Sequence, residues 1–332
     1  MRLAMFLLIV FSASVWAGGR EPSERDRALA VFVDEMVARH GFTRNELDEA
    51  FGSARSVPQI LELMNRAADP KPWDEYRSLF VTSEKITGGE RFWNENADAL
   101  ELARQRYGVP EEIVIAVIGI ETHYGRNRGR FKVLEALATL AFEYPRRASE
   151  FRLELEHFLL LSREESLPLG APVGSYAGAM GIAQFMPGSY RRYAIDFDGD
   201  GRRDLFENTR DAIGSIANYL TAHGWQRNAP VAVPAEVSES GTEPFRSGTL
   251  STRYRLSELL SFGVTTTPAQ PAAASAIPLT LKSRTGPEYW LGFDNFYVIT
   301  RYNQSVYYAM AVHQLSEEIR SRYERSRAVV DP

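Results

Sequence analysis

The chain is organised around Pro110-Glu-Glu-Ile-Val-Ile-Ala-Val-Ile-Gly-Ile-Glu121-Thr-His-Tyr-Gly125. Pro110 suits the first turn of an α-helix, and Gly125 suits a helix end. The side chains from Ile113 to Ile120 are almost all apolar, and a helix that is apolar on every side is buried. A strand is the alternative for so short a run, but Pro110 and the two glutamates after it favour a helix. The stretch therefore predicts a buried helix that ends at one carboxylate, Glu121.

The predicted position of Glu121 makes it a candidate catalytic acid. Loss of water around the carboxyl and the negative end of the helix dipole are both expected to raise its pKa. A carboxyl that stays protonated near neutral pH is suited to general acid catalysis. The alternative is a structural glutamate that reaches solvent or pairs with Arg126 or Arg128. The surroundings of Glu121 distinguish these two interpretations.

The composition indicates a globular protein with two or three lobes. The chain has 332 residues, of which 44% are hydrophobic and 24% are charged, which is ordinary for a chain with a large core. Its net charge is −5, without a block of like charge, which argues against nucleic acid as a partner. It contains no cysteine, so disulfides, thiolate metal sites and a cysteine nucleophile are excluded.

The first residues predict a secretory signal peptide over residues 1–17. Arg2 is followed by an apolar run, and Val15 and Ala17 are small enough for the positions before a signal-peptidase cut. The run is too short to cross a bilayer. An apolar first helix of the mature protein is the weaker alternative, because Gly18 and Gly19 interrupt the pattern. We expect an exported protein, periplasmic if the cell has an outer membrane, with no membrane anchor because there is no cysteine to carry a lipid.

The remaining patterns predict an α+β protein that is mainly α. Apolar residues at helical spacing predict helices over 25–40, about 91–107, 133–142, from Pro145 onward, and about 305–325. Residues 229–295 are instead rich in Pro, Ser, Thr and Gly, with short β-prone runs and one possible small helix over 256–262. This region is interpreted as a small β-rich lobe.

Residues 170–190 form a segment of glycine and small side chains with a polar Ser175 and Gln184 among them. Glycine and small residues let a backbone approach another group closely. The segment is either a tight structural turn packed on the Glu121 helix or a wall that binds sugar. Pro187 is expected to open the next helix.

An aspartate loop, residues 196–204, matches the start of an EF-hand calcium loop. Asp196, Asp198 and Asp200 occupy the first, third and fifth positions, Gly201 the sixth, and Arg202 would offer its carbonyl from the seventh. Alternate spacing lets a tight loop direct several oxygens at one hard cation. The alternative is a polar turn without metal.

The last ligand of this site has two candidates. Glu207 stands at the twelfth position of the loop, and Asp211 follows four residues later. Asp211 has a second interpretation as N-cap of a helix over 212–223, with Gly224 ending that helix.

Several motifs taken together resemble the lytic murein transglycosylase B family. They are Ile118-Gly-Ile-Glu-Thr-His-Tyr-Gly125, Tyr144-Pro-Arg-Arg147, Gly174-Ser-Tyr-Ala-Gly-Ala-Met-Gly181, Ala183-Gln-Phe-Met-Pro187, Asp196-Phe-Asp-Gly-Asp-Gly201, Asp211-Ala-Ile-Gly-Ser215, His223-Gly-Trp225 and Thr300-Arg-Tyr-Asn303. The resemblance implies a lysozyme-like helical core, residues 107–228 and 296–312. It also implies an additional α lobe, residues 20–106 and 313–330, and a small β-rich lobe, residues 229–295.

The same resemblance implies the site. Glu121 would be the sole catalytic acid and base, and a structural Ca²⁺ would lie in the aspartate loop, with Asp211 rather than Glu207 as its last ligand. The expected contacts with the glycan come from Tyr76, Ser175, Met180, Gln184, Tyr219, Tyr302, Asn303 and Tyr308. The aspartate loop departs from the family pattern by one extra residue before Asp211, and members of the family are often lipoproteins.

The function implied is cleavage of the β-1,4 bond between N-acetylmuramic acid and N-acetylglucosamine in peptidoglycan, with a 1,6-anhydromuramoyl product. The expected partner is the glycan strand, and the protein is expected to act as a monomer without an organic cofactor. Two rivals remain: a muramidase that uses Glu121 with water, and a non-catalytic module that binds peptidoglycan or calcium.

Overall fold

The computed structural model describes residues 22–66, 71–246, 249–272 and 274–330. The predicted signal peptide, residues 1–17, lies outside the described residues. One compact unit ends at Glu49 and a second begins at Ala50. Throughout the described ranges, no helix combines the length and the apolar character that a bilayer span requires.

The first unit is built on helix α1, Glu24–His40. Asp26 N donates to Ser23 Oγ at 3.2 Å, and Ser23 N donates back to the Asp26 carboxylate at 3.0 Å, a reciprocal pattern that satisfies the free amides of a helix start. The helix buries Phe32 and Met36 completely. The helix predicted over 25–40 is confirmed.

Fourteen further helices follow in the described part of the chain, nearly all of them in the second unit. Their bounds are α2 Arg44–Ser53, α3 Pro58–Asn65, α4 Trp73–Phe80, α5 Ser83–Glu95, α6 Ala97–Tyr107, α7 Glu111–Thr122, α8 Val133–Glu143, α9 Ala148–Glu164, α10 Pro187–Tyr193, α11 Thr209–Ala222, α12 Glu243–Arg246, α13 Leu256–Ser261, α14 Asp294–Tyr302 and α15 Val306–Val330.

Helix α7 is the buried centre of the second unit, as the sequence predicts. Helices α5, α6, α11 and α15 all pack against it. The side chains from Ile115 to Ile118 are completely buried, and burying one such side chain contributes about 1.5–3 kcal/mol. A helix enclosed on all sides in this way holds its last residues in a fixed place.

Two small antiparallel sheets complete the second unit. Strands β1 (Phe131–Lys132) and β2 (Val173–Gly174) pair with each other. The other sheet has the order β4-β6-β7-β3-β5, in which the strands are β3 Ala232–Val237, β4 Tyr254–Arg255, β5 Val264–Thr266, β6 Ser275–Ser283 and β7 Gly286–Gly292. This sheet has its own apolar cluster, which includes Leu259 and Leu291. The predicted class, α+β and mainly α, is confirmed.

Some predicted boundaries are wrong. The helix predicted over 91–107 is divided between α5 and α6 at Asn96, whose side chain donates to Phe92 O at 2.9 Å. Asparagine competes with the helical backbone in this way. Pro145 opens a short 3-10 turn, and α9 begins only at Ala148. The helix predicted over 305–325 is α15, and α14 precedes it as a separate helix.

Candidate active site

Glu121 lies in the last turn of α7, with part of its side chain accessible to solvent. The hydroxyl of Tyr308 donates a hydrogen bond to Glu121 Oε1 at 2.6 Å. Burial raises the pKa of Glu121 to about 7, while the Tyr308 hydrogen bond and the positive charge of Lys85 act in the opposite direction. Arg128 pairs with Glu207 at 2.8 Å instead. The geometry therefore favours a catalytic acid over a structural glutamate paired with Arg128.

The chain turns sharply after Glu121. The helix is capped by His123 in the left-handed conformation, and Tyr124 and Gly125 also have positive φ. Of these three residues, only Gly125 adopts this conformation without strain. The helix is capped at His123, two residues before the Gly125 at which the sequence predicts its end. Thr122 holds the turn, since its hydroxyl donates to Ile182 O at 2.9 Å and accepts from Gly125 N at 3.0 Å. These bonds connect the Glu121 turn to the small-residue segment.

Three tyrosines from distant parts of the chain surround the carboxyl. Tyr76 comes from α4, Tyr302 from α14 and Tyr308 from α15. Burial raises the pKa of each hydroxyl, and the nearby charge of Glu121 raises it further. All three hydroxyls therefore stay neutral and remain hydrogen-bond donors near neutral pH. The structure brings these three predicted residues together around Glu121.

Two of the predicted tyrosines use their hydroxyls to hold backbone. Tyr302 donates to Ala183 O at 2.6 Å, and Tyr219 donates to Arg301 O at 2.5 Å. Their rings lie 4.9 Å apart, and both pack against Phe185. This arrangement fixes the small-residue segment against α11 and α14.

Internal hydrogen bonds hold the small-residue segment together. Ser175 Oγ accepts from Ala179 N at 3.0 Å, and Met180 and Phe185 exchange two backbone hydrogen bonds at 2.9 and 3.1 Å. Met180 has no exposed surface, so its side chain supports the segment from inside. Gln184 has positive φ and donates from its amide to Gly181 O at 3.0 Å.

A glycine at position 181 is required by close packing. A Cβ there would lie 2.3 Å from Leu205 O, and the residue has a φ of +69°. The segment is consequently a tight turn, as one sequence interpretation held, and it lies beside the Glu121 turn through the Thr122 bond. Asn303, another predicted contact, is exposed just after α14.

The aspartate loop and helix α11 together bring three carboxylates close to one another. Oxygens of Asp196, Asp198 and Asp211 lie within 4.8 Å of one another, and Asp200 is not part of this group among the described residues. Asp196 accepts backbone hydrogen bonds from Gly199 and Gly201 at 2.7 and 2.8 Å. Arg202 N donates to Asp200 Oδ1 at 2.9 Å. Two carboxylates of the loop and one of α11, converging in this way, fit a hard cation such as Ca²⁺.

Asp211, not Glu207, joins this group. Asp211 is completely buried, and its two oxygens accept from Phe197 N at 2.8 Å and Asp204 N at 2.7 Å. Burial and the charges of the neighbouring aspartates raise its pKa, so a bound cation would stabilise the ionised form. The interpretation of Asp211 as N-cap is wrong, because α11 begins at Thr209 and Asn208 caps it.

Two cavities among the described residues are not lined by Glu121. One cavity of about 350 Å³ is lined by residues that include Leu167, Pro172 and Phe206, and another of about 410 Å³ by residues that include Trp290 and His313. Glu121 lines neither of them. The assignment of the site rests instead on the protonation and hydrogen bonding of Glu121.

Sequence reasoning missed Lys85, whose charge acts on Glu121. The lysine lies in Thr82-Ser-Glu-Lys85, which predicts a helix start and carries no sign of a site. Only the packing of α5 on α7 brings it close.

Comparison with known proteins places this geometry in a family. The family described as transglycosylase SLT domain matches residues 24–317. Membrane-bound lytic murein transglycosylase B of Escherichia coli K12 is 46% identical over 301 residues, which cover 87% of this chain and 81% of that protein.

Two solved structures are also similar. The Escherichia coli lytic transglycosylase Slt35 in complex with calcium has a TM-score of 0.82 and 44% identity, over 89% of this chain and 93% of that one. SltB3 from Pseudomonas aeruginosa, in complex with NAG-anhNAM-pentapeptide, has a TM-score of 0.80 and 29% identity, over 90% of this chain and 80% of that one.

Proposed function

Because this chain belongs to the transglycosylase SLT family and is a peptidoglycan lytic transglycosylase, we propose that Glu121 is its single catalytic acid and base. The proposed reaction cleaves the bond between N-acetylmuramic acid and N-acetylglucosamine and closes a 1,6-anhydro ring on the muramic acid. The observation that carries the proposal is the Glu121 carboxyl itself, with a pKa raised to about 7 and one oxygen held by Tyr308.

In the first step Glu121 protonates the bridging oxygen of the glycosidic bond. The bond between that oxygen and the anomeric carbon breaks, and the N-acetyl oxygen of the same muramic acid takes its place at that carbon. Most glycosidases supply this second group as another carboxylate. In the described part of the chain, the side chains that act on the Glu121 proton are Tyr308 and Lys85, with no second carboxyl among them. Substrate assistance fits a site with one acid.

In the second step Glu121 acts as a base. The carboxylate takes the proton of the C6 hydroxyl, whose oxygen bonds to the anomeric carbon while the N-acetyl oxygen leaves. Glu121 is protonated again at the end, and no water is consumed. Ring closure within one bound sugar benefits from proximity and outruns hydrolysis where water is kept out.

The glycan contacts are proposed for the residues around this carboxyl. Ser175 and Gln184 are proposed to hold the N-acetyl group. Tyr76 and Tyr302 are half-buried and offer aromatic surface for sugar rings, and the further contacts proposed are Tyr219, Asn303 and the hydroxyl of Tyr308. Met180, which was also expected to contact the glycan, is buried and would act only by supporting the segment from inside. The complex of SltB3 with an anhydro-sugar peptide supports this class of ligand.

A calcium ion is proposed in the aspartate loop, by analogy with the calcium complex of Slt35. Asp196, Asp198, Asp200 and Asp211 would hold it, together with the carbonyl of Arg202. The ion would neutralise the converging carboxylates and brace the loop. Export to the periplasm is proposed from the residues before position 18.

Digestion of purified peptidoglycan with analysis of the products by mass spectrometry tests the function. We expect products that end in 1,6-anhydromuramic acid, and loss of activity by at least about 1,000-fold in Glu121→Gln, in line with removal of a sole acid and base. The exposed Glu95→Gln serves as the control. Products heavier by one water, with a reducing end, would indicate a muramidase, and full activity of Glu121→Gln would exclude this role for Glu121.

A further inference from the structure

Lys85 makes a polar contact with the end of helix α7, which carries Glu121. It is the third residue of α5, and its half-buried Nζ donates to Gly119 O at 2.5 Å. The last carbonyls of a helix have no partner within the helix, and the amides of His123 and Tyr124 both go to Ile118 O. The ammonium therefore satisfies a free carbonyl two residues before Glu121.

Close packing fixes the backbone of Lys85. The hydroxyl of Tyr124 donates to Lys85 O, and the tyrosine ring lies between α5 and α7. A Cβ at Gly88 would be 2.6 Å from this ring, and one at Gly119 would be 2.7 Å from its hydroxyl. Two glycines thus allow the tyrosine to hold both helices, and Lys85 has little freedom to move away.

In the part of the chain that the structure describes, Lys85 is the charged group among those that act on the Glu121 carboxyl. The others are Tyr76 from α4, Tyr302 from α14 and Tyr308 from α15, and their raised pKa values keep them neutral. An ammonium attracts a carboxylate but gains little from a protonated carboxyl. Its effect on Glu121 is therefore largest after the proton has left.

Opposing effects act on the charge of Lys85, and the lowering effect of burial on its pKa is the largest of them. Burial lowers the pKa of Lys85, whereas the carboxylates of Glu84 and Glu121 raise it. Glu84 also lies 3.2 Å from His123 Nε2, so an acidic side chain is held beside the lysine. The hydrogen bond to Gly119 O and the two nearby carboxylates favour the charged form of this half-buried amine.

We propose that Lys85 is a positioning residue for Glu121, which holds the end of α7 and supplies the positive charge that stabilises the Glu121 carboxylate once the proton is on the leaving sugar. This inference rests on the proposed function, since it concerns the same carboxyl. Without the charge, Glu121 would be a weaker acid in the first step, although its place in the fold would be kept by Tyr124 and Thr122.

The variant Lys85→Gln separates the charge from the hydrogen bond, because glutamine can still donate to Gly119 O. Activity depends on protonated Glu121 and so falls as pH rises through its pKa. Removing a nearby positive charge raises that pKa, so the alkaline limb of kcat/KM is expected to move up by about one pH unit. We expect kcat to fall about tenfold with little change in KM. Lys85→Arg should restore the limb, and the exposed Lys282→Gln should leave it unchanged.

A second readout does not need activity. With ¹³C-labelled glutamate, the carboxyl carbon of Glu121, assigned by its loss in Glu121→Gln, is expected to titrate at a higher pH in Lys85→Gln and at the wild-type pH in Lys85→Arg. In Lys85→Gln, activity could fall while the carboxyl of Glu121 titrates at the wild-type pH and the alkaline limb of kcat/KM does not move. Lys85 would then only brace the structure, and the inference would be overturned. If Lys85→Gln does not fold, the titration in Lys85→Met gives the same comparison. Full activity of Glu121→Gln would instead overturn the proposed function.

Discussion

At the scale of the residue, the raised pKa of the Glu121 carboxyl lowers the stability of the folded chain at neutral pH. In the folded chain it keeps its proton up to about pH 7, whereas its ordinary pKa is 4.5. The folded state therefore binds more protons than the unfolded state between these values, and stability falls as pH rises through this window. Burial is the physical reason, since it outweighs the Tyr308 hydrogen bond and the positive charge of Lys85.

Glu121→Gln is expected to remove this pH dependence, because glutamine does not titrate. Its free energy of unfolding relative to wild type should rise by about 2 kcal/mol between pH 4.5 and pH 7.5, a value reduced for the partial exposure of the side chain. Urea unfolding at the two pH values measures the difference. An equal difference at both would show that folding does not raise the pKa of this carboxyl.

Tyr308→Phe tests the hydrogen bond that orients the carboxyl. The bond to Glu121 Oε1 at 2.6 Å favours the ionised form, so its loss should raise the pKa of Glu121 and lower kcat about tenfold. The pH profile of kcat/KM should show its alkaline limb at a higher pH. Tyr323→Phe, on the same helix, is the control and should match wild type.

At the scale of the element, the position of Glu121 depends on how closely α5 packs on α7. The Tyr124 ring fills the space left by Gly88 and Gly119, and its hydroxyl bonds to the α5 backbone. Interiors are packed too densely to accept an extra methyl group where no space exists. The acid is thus held by helix packing as well as by its own hydrogen bond.

Gly119→Ala is expected to separate these helices. The new Cβ would lie 2.7 Å from the Tyr124 hydroxyl, so we expect a loss of about 1–3 kcal/mol in stability and a lower kcat. Thermal unfolding and kinetics at one pH provide the measurement. Gly170→Ala is the matched control, because a Cβ there meets nothing within 4 Å. Wild-type stability of Gly119→Ala would show that the contact is easily relieved.

At the scale of the molecule, Asp211 connects the aspartate loop on the surface to the buried helix α11. Asp211 reaches from α11 to the backbone of Phe197 and Asp204, and α11 packs on α6, α7, α10 and α14. A cation bound to these carboxylates would stabilise the folded chain, because it binds the assembled site and not the unfolded one.

Removal of divalent cations with a chelator is expected to lower the Tm by about 5 °C and to leave the alkaline limb of the pH profile in place. Calcium alone should restore the Tm. Asp211→Asn should abolish the response to calcium, whereas Glu207→Gln, which affects only the pair with Arg128, should retain it. A Tm that is insensitive to both chelator and calcium would contradict the proposed metal site.

The sequence predicted elements that depend on neighbours along the chain. The α7 helix, the start of α10 at Pro187 and the small helix α13 follow from local patterns of apolar residues and prolines. The break at Asn96 and the late start of α9 were not predicted. A single side-chain hydrogen bond or a 3-10 turn leaves the helical spacing of the apolar residues unchanged. Likewise, neither the short β5 nor the longer β7 was identified as a separate strand.

The candidate site was predicted unevenly. The carboxyl at the end of a buried apolar helix followed from residues 110–125 alone. Of the three carboxylates that converge near the aspartate loop, Asp196 and Asp198 were predicted from their alternate spacing. The resemblance to a family suggested the tyrosines and favoured Asp211 over Glu207. Neither source indicated Lys85, since nothing near it in the sequence differs from an ordinary helix start.

The amino-acid sequence by itself determined that an acid would end a buried helix, because an apolar run leaves that helix no other place than the interior. Only the tertiary structure decided the proton affinity of this acid and the groups that act on it. Tyr308 lies 187 residues from Glu121 along the chain. The packing of α5 on α7 brings Lys85 to the carbonyl of Gly119, from where its charge acts on Glu121. Contacts of this kind depend on how whole elements pack, which no local pattern specifies.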